Sequence, residues 1–254
     1  MGNKQKIVWE DAPAVFDGIT LFPITMAGYN DWQNCKHALL VRQATLPAKF
    51  VFMPYLSALH AVDMEYGTAF MLNILRVLSL ATKLPFKFFS LYANKDDNAK
   101  LDCILYNDGR TVFRVDNKNF PMIRKKIAEQ NGEELPDEGD NTELLEAEAD
   151  IAAAKSNANR VDYDVNTLVA SVAYQCGIRK QDIREWTIRE FAETRNAIER
   201  DKNHLICGIA EKIPMFKWAK GNPCPSWCYD PLKEGCSALE SMDSFVGRTG
   251  LNAL

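Results

Sequence analysis

Histidine is scarce in this chain: His37, His60 and His204 are the only three in 254 residues. Imidazole is the commonest general base and metal ligand, so a catalytic triad or a His-rich metal cluster has little to draw on. The familiar signatures of chemistry are missing as well. Neither G-x4-G-K-[ST] nor G-x-G-x-x-G occurs, which removes the two commonest phosphate cradles. H-E-x-x-H and G-x-S-x-G are also absent, which removes the zinc-protease helix and the serine-hydrolase elbow. A basic excess is lacking: 30 Lys and Arg stand against 34 Asp and Glu, a net charge of -4. Nothing in that balance tracks a phosphate backbone, so no nucleic-acid partner is expected. The opening MGNKQKIVWEDAP has no apolar core for a secretory leader. The longest apolar run, Thr68 to Leu84, is broken by Asn73, Arg76 and Lys83, so no membrane partner is expected either. Gly2 stands where myristoylation needs it, but Lys6 occupies the position that should be Ser or Thr. These absences lead us to expect no cofactor, no catalytic residue and a cytosolic origin.

What is present is an ordinary globular composition, 47% hydrophobic and 25% charged, enough to bury one large or two modest cores. The expected fold class is α+β, in four parts. Residues 1–131 read as a mixed α/β domain with an antiparallel hairpin. Residues 132–162 read as an acidic linker with an exposed helix, 163–213 as a helical hairpin domain, and 214–254 as an extended tail rich in Pro and aromatics.

In the first part, Val15 to Ile24 reads as a strand or hairpin interrupted by Gly18. Asp31 to Val41 places Trp32, Cys35 and Leu39 on one helical face, Pro54 to Ala61 suggests a short helix, and Thr68 to Ala81 carries a broad apolar stripe. Phe86 to Tyr92, Leu101 to Tyr106 and Arg110 to Val115 read as strands. Asp108-Gly109 between the last two signals a tight primed turn, with Cys103, Leu105, Val112 and Phe113 expected to fill the core. Asn117 or Asn119 then caps a helix bearing Phe120, Ile123 and Ile127, with Pro121 tolerated in its first turn. Arg124-Lys125-Lys126 reads as a solvated face, and the pairs Asp96-Asp97 and Glu133-Glu134 as solvated loop charge. In the linker, Asn141 to Asn157 reads as an exposed helix or a docking segment that orders on a partner.

The best-specified stretch comes later. Val165, Leu168, Val169, Val172 and Cys176 recur at helical spacing from Asp164, and Gly177 ends the run. Thr187 and Glu190 then form a capping box at the start of a longer helix. Trp186, Phe191, Ile198 and Leu205 are its expected packing residues.

Seven cysteines, an odd and scattered set, are expected to be reduced thiols, with Cys103, Cys176 and Cys207 as small core residues. The weak metal candidates are Cys224-x3-Cys228-x7-Cys236, with Cys207 or His204 as the only nearby source of a fourth ligand; three unligated thiols is the plainer reading. In the tail, Phe216, Trp218, Trp227 and Tyr229 are the expected partner-binding anchors, because aromatics dominate interfaces when they fill desolvated pockets.

Several of these stretches resemble one family. Pro54-Tyr55-Leu56 precedes an apolar helix. Asn119-Phe120-Pro121-Met122-Ile123-Arg124, continuing through Ile127, Gln130 and Asn131, fits an F-x-x-I-R-x-x-I-x-x-Q-N run. After the acidic linker, Cys176-Gly177-Ile178, Asp182-Ile183 and Trp186-Thr187-Ile188-Arg189-Glu190-Phe191 follow in order. Together they resemble the tail-assembly chaperones of tailed bacteriophages and related tail or baseplate proteins, loosely over residues 50–210. The tail after Pro214 departs from that pattern and suits a component retained in the particle better than a pure chaperone. The resemblance implies non-enzymatic tail morphogenesis through contacts with tape-measure, tube or baseplate subunits in an oligomeric assembly, in the virion or the host cytoplasm. A cytosolic, non-viral protein-binding module is the alternative. An enzyme with a site assembled from distant residues is the third reading, to be sought first at Cys35, His37, His60 and Asp63.

Overall fold

In a computed structural model, residues 12–94, 100–136, 138, 164–213, 222–224 and 226 are described. They form an α+β fold with antiparallel strands. The chain divides into two compact units, Met1–Ala192 and Glu193–Leu254. The expected linker, 132–162, lies almost wholly outside the described residues, as does the helix expected over Asn141 to Asn157.

The first unit opens with a hairpin of β1 (Ala14–Phe16) and β2 (Ile19–Leu21). Asp17 and Gly18 both take positive φ, 47° and 78°, the primed two-residue turn that matches strand twist. Helices α1 (Tyr29–Cys35) and α2 (His37–Leu40) follow, separated by one turn residue at Lys36. Trp32, Cys35 and Leu39 are buried on one face, as their spacing predicts. A short α3 (Ala48–Val51) leads to α4 (Tyr55–Tyr66) and α5 (Phe70–Thr82). The α4 helix outruns its expected end at Ala61 and stops at Gly67, whose φ of 65° supplies the left-handed cap. Phe50, Ala58, Ala61 and Val62 make a small satellite cluster between α3 and α4.

Strands β3 (Phe89–Ala93), β4 (Leu101–Asn107) and β5 (Val112–Val115) form one antiparallel sheet in that order. The expected tight Asp-Gly turn is a four-residue loop instead. Asn107 pairs with Val112, and the Asp108 carboxylate accepts from the amides of Arg110 (2.9 Å) and Thr111 (2.7 Å). That side chain closes the loop where a primed backbone turn was expected. The register sets Phe89, Ile104, Tyr106, Phe113 and Val115 on the core face. Of the core residues expected here, Phe113 is on that face, whereas Val112 is 61% exposed. Tyr106 is the centre of the sheet face: it stacks on Phe113 at 5.2 Å, meets Phe89 edge-on at 4.9 Å, and donates its hydroxyl to Asp108.

Helix α6 (Phe120–Gln130) lies in the main core and ties distant segments to it. The expected cap is not formed: Asn119 precedes the helix without a side-chain cap bond, Asn117 instead donates to Ser57 Oγ and the Leu101 carbonyl, and Asp116 accepts from the amides of Lys118 and Asn119. Asn131 accepts from the Ile24 amide (3.0 Å) and donates to the Ile127 carbonyl. Gln130 donates to the carbonyls of Ala12 (2.8 Å) and Leu21 (3.2 Å). Arg124 donates to the carbonyls of Leu39 (2.7 Å) and Val41 (3.1 Å) and lies over the Tyr55 ring at 3.9 Å. Arg124 is therefore not on a solvated face as its basic neighbours suggest. It is buried because two helix-end carbonyls of α2 need donors and an aromatic ring faces its guanidinium.

Helix α7 (Val165–Cys176) starts where Asp164 accepts from the Thr167 amide (3.1 Å) and ends at Gly177, φ 68°. Cys176 is exposed, because the buried face of α7 is carried by Val172 and Ala173. The 3-10 turn Asp182–Glu185 then leads to α8 (Ile188–Glu211). The capping box is in place: the Glu190 amide donates to Thr187 Oγ1 at 2.9 Å and the Thr187 amide reaches the Glu190 carboxylate at 3.4 Å. The same segment is clamped by backbone, with the Ile188 amide on the Ile24 carbonyl (2.9 Å) and the Met26 amide on the Trp186 carbonyl (2.8 Å). Thr187→Ala is expected to lower unfolding free energy by about 0.5–2 kcal/mol, read as a drop in denaturant midpoint at constant slope. An unmoved midpoint would remove the cap's role.

Candidate functional site

The four residues where an enzyme reading starts have structural partners. The buried Cys35 thiol donates to the Trp32 carbonyl at 3.7 Å. Burial pushes it up to about 11, against the lowering influence of Arg76, which is opposite to what an activated nucleophile needs. His37 contacts the Asn73 side chain at 3.2 Å and is not paired with Cys35. Asp63 accepts from the amides of Phe70 (2.7 Å) and Met71 (2.6 Å) and from the Thr68 hydroxyl. It thus satisfies the open N-terminus of α5, where Ala69 itself offers no side-chain cap. His60 is buried within α4.

The F-x-x-I-R run is likewise structural. Phe120, Ile123 and Ile127 are in the core, and Arg124, Gln130 and Asn131 hold the backbone contacts given above. Tyr55, beneath Arg124, is pushed up to about 12 by burial, which the Arg124 charge opposes.

Besides separately exposed apolar residues such as Phe52 and Tyr174, two places in the described chain bring several apolar groups together at the solvent side. The first is a groove of about 630 Å³ in the first unit, between the Met26–Gly28 turn with α1 on one wall and α7 with the 182–185 turn on the other. Met26, Tyr29, Val165, Val169 and Ile183 give it an apolar lining, and Lys180 and Arg184 add positive charge. Arg179 also lines it but is held by Asp182, with contacts of 2.8 and 3.1 Å. This pairing lowers the Asp182 carboxyl and raises the guanidinium.

The second surface is the C-terminal part of α8. Leu205, Ile206 and Ile209 are 57%, 63% and 66% exposed, and Ile213 just beyond is 50% exposed. At about 100° per residue Leu205, Ile206 and Ile209 fall within one arc of roughly 100°, and Ile213 follows past the helix end. Leu205, expected to pack inside the protein, is thus on the solvent side. Phe191 is buried and Trp186 and Ile198 are half-buried. The opposite face of α8 has a partner within the second unit: His204 Nδ1 is 2.9 Å from the Cys224 carbonyl, and the Cys207 and Cys224 side chains are hydrogen-bonded. Burial first, and then this bond, raise the Cys207 thiol above its ordinary range.

The tail anchors Phe216, Trp218, Trp227 and Tyr229 lie outside the described residues, as do Cys228 and Cys236. Among the described residues, no group of three His, Cys, Asp or Glu side chains is placed to hold a metal ion, and no helix is long and apolar enough to cross a membrane. Sequence reasoning missed both surfaces as surfaces. The groove joins Met26 to Ile183, a separation no local pattern encodes, whereas the Leu205/Ile206/Ile209 spacing was present as a signal. No family model, curated protein or solved structure matches the chain.

Proposed function

We propose that this protein is a non-enzymatic assembly protein that grips other polypeptides, and specifically a tail morphogenesis protein of a tailed bacteriophage. In that role it is a tail-assembly chaperone or a retained tail or baseplate component. The observation that carries the binding role is the aliphatic arc of α8. Three branched aliphatic side chains, Leu205, Ile206 and Ile209, each more than half-exposed, share one helical face, and Ile213 is half-exposed just beyond the helix end. Apolar groups gathered in this way mark interaction sites far more often than scattered ones do. An amphipathic helix of a partner docks on such a face through i, i+3, i+4 anchors. The groove with its apolar lining and cationic Lys180 and Arg184 supports the same reading, since it suits an acidic amphipathic segment. The viral assignment rests on the resemblance of the sequence runs around Phe120 and Thr187.

The test is co-expression with the tape-measure and tube proteins of the same genome. The full chain is expected to keep the tape-measure protein soluble or to co-purify with tube or baseplate subunits. The double variant Leu205→Asp/Ile209→Asp, on an already exposed face, should retain the far-UV spectrum and lose at least about tenfold in complex yield, as expected when anchors worth about 1.4 kcal/mol or more are removed. Unchanged complex formation by the variant, or no complex with any tail protein, would contradict the proposal.

A further inference from the structure

Two thiols of the second unit that lie far apart in sequence share a contact. Cys207 is buried on α8, on the face it shares with His204 three positions before it. Cys224, half-buried, comes back to that face, and its side chain is hydrogen-bonded to that of Cys207. The backbone of Cys224 is held on both sides. Its amide donates to Asn222 Oδ1 at 2.8 Å, and its carbonyl accepts from His204 Nδ1 at 2.9 Å, since a carbonyl cannot donate. Pro223, just before it, fixes one more backbone angle. The fold itself therefore keeps the two sulfurs together. Among the described residues no three His, Cys, Asp or Glu side chains are placed to hold a metal ion, so the chemistry this pair offers is that of a dithiol.

We propose that Cys207 and Cys224 are a redox modification site, closing reversibly to a disulfide that fastens residues 222–224 to α8, with a small disulfide of the glutathione class as oxidant. Sulfurs already in hydrogen-bonding contact need only a small approach to bond. The burial of the two thiols sets the order of events. Cys224 is the more accessible, so its thiolate attacks one sulfur of the small disulfide and expels one small thiolate. Cys207 then attacks the Cys224 sulfur of the mixed disulfide and expels the second. The pair loses two electrons and two protons, and the small disulfide takes them up and leaves as two thiols. The bridge stays open in a reducing cytosol and closes in an oxidising medium, where it restricts the unfolded chain and so stabilises the second unit. The helix face used, with His204 and Cys207, is opposite the Leu205/Ile209 arc. The bridge therefore leaves the interaction face open and stands or falls independently of the assembly role.

The experiment uses the full-length chain, purified reduced, equilibrated in buffers of graded oxidised and reduced glutathione, quenched by alkylation and mapped by mass spectrometry. A Cys207–Cys224 disulfide should be the first to form. It should predominate at glutathione ratios at least about tenfold more reducing than those that put a mixed disulfide on Cys176, the exposed thiol of α7. The oxidised chain should show a higher denaturant midpoint that added dithiothreitol reverses. Cys207→Ser should stop at a glutathione mixed disulfide on Cys224, and in Cys224→Ser the buried Cys207 should stay a free thiol. The map of the unaltered chain needs no variant to fold. Pairing of Cys224 with Cys228 or Cys236, chains cross-linked to one another through Cys224, a lasting mixed disulfide on Cys224 of the unaltered chain, or no bridge at ratios that already modify Cys176 would each overturn the proposal.

Discussion

Trp32→Ala is expected to cost the first unit about 3–5 kcal/mol of stability, the range for deleting a large, fully buried aromatic. Trp32 is wholly buried in the main core, within α1. The void left by an indole cannot be filled from an exposed neighbour, so both the lost transfer energy and the lost packing count in full. Trp32→Phe separates size from polarity. Among the described residues, the buried Trp32 Nε1 has no hydrogen-bond partner, and an unpaired buried N–H carries a desolvation cost. Phenylalanine removes that cost together with part of the volume, so it should be much milder than alanine. Denaturant unfolding of the two variants checks this. Equal losses would show that the ring's packing is not what holds α1 in place.

Arg124→Ala is expected to cost about 2–4 kcal/mol, although a surface arginine at the same helical position would cost a few tenths. Its removal leaves the Leu39 and Val41 carbonyls without their charged donor and takes the cation from the Tyr55 ring. Arg124→Lys keeps the charge but not the planar fork, and it should recover only part of the loss. A second readout is independent of stability. The Arg124 charge pulls the Tyr55 hydroxyl down against the dominant effect of burial. In Arg124→Ala that hydroxyl should therefore titrate even higher than in the unaltered protein, as followed by tyrosinate absorbance. A downward shift would mean the guanidinium does not sit over the ring.

What was legible in the sequence was what is decided within a few residues. Thr187 and Glu190, and Gly177, are caps whose partners lie three or four positions away, and both are found as expected; the Asp164 cap on Thr167 is equally local. The Trp32, Cys35 and Leu39 face is also local, because helical spacing alone puts those residues together. Arg124 was misread because its partners lie 85 and 83 positions upstream, while its neighbours Lys125 and Lys126 are the residues that suggest a wet surface. The sheet faces were mixed for a related reason. The Asp108 side chain closes a four-residue loop, and register then decides that Val115 is buried and Val112 exposed. Cys176 has the spacing of a core residue, but only the Val172 and Ala173 face of α7 is covered. For the site, the pairing of Cys224 with Cys207 and His204 was open in the sequence as a spacing without a geometry. The groove between Tyr29 and Ile183 was not open at all, because its two walls come from segments far apart in the chain that the Ile24–Ile188 backbone bond joins.

Under the proposed function, the aliphatic arc of α8 is covered by another polypeptide when the protein works. A photo-crosslinking amino acid placed at Ile209 of the full-length chain, activated in the native assembly and mapped by mass spectrometry, reads that directly. Crosslinks are expected to a different polypeptide, a tail subunit under the proposed function, centred on an amphipathic helical segment. Crosslinks confined to this chain's own residues would show that the arc is internal packing, and the grip on partners would have to be abandoned.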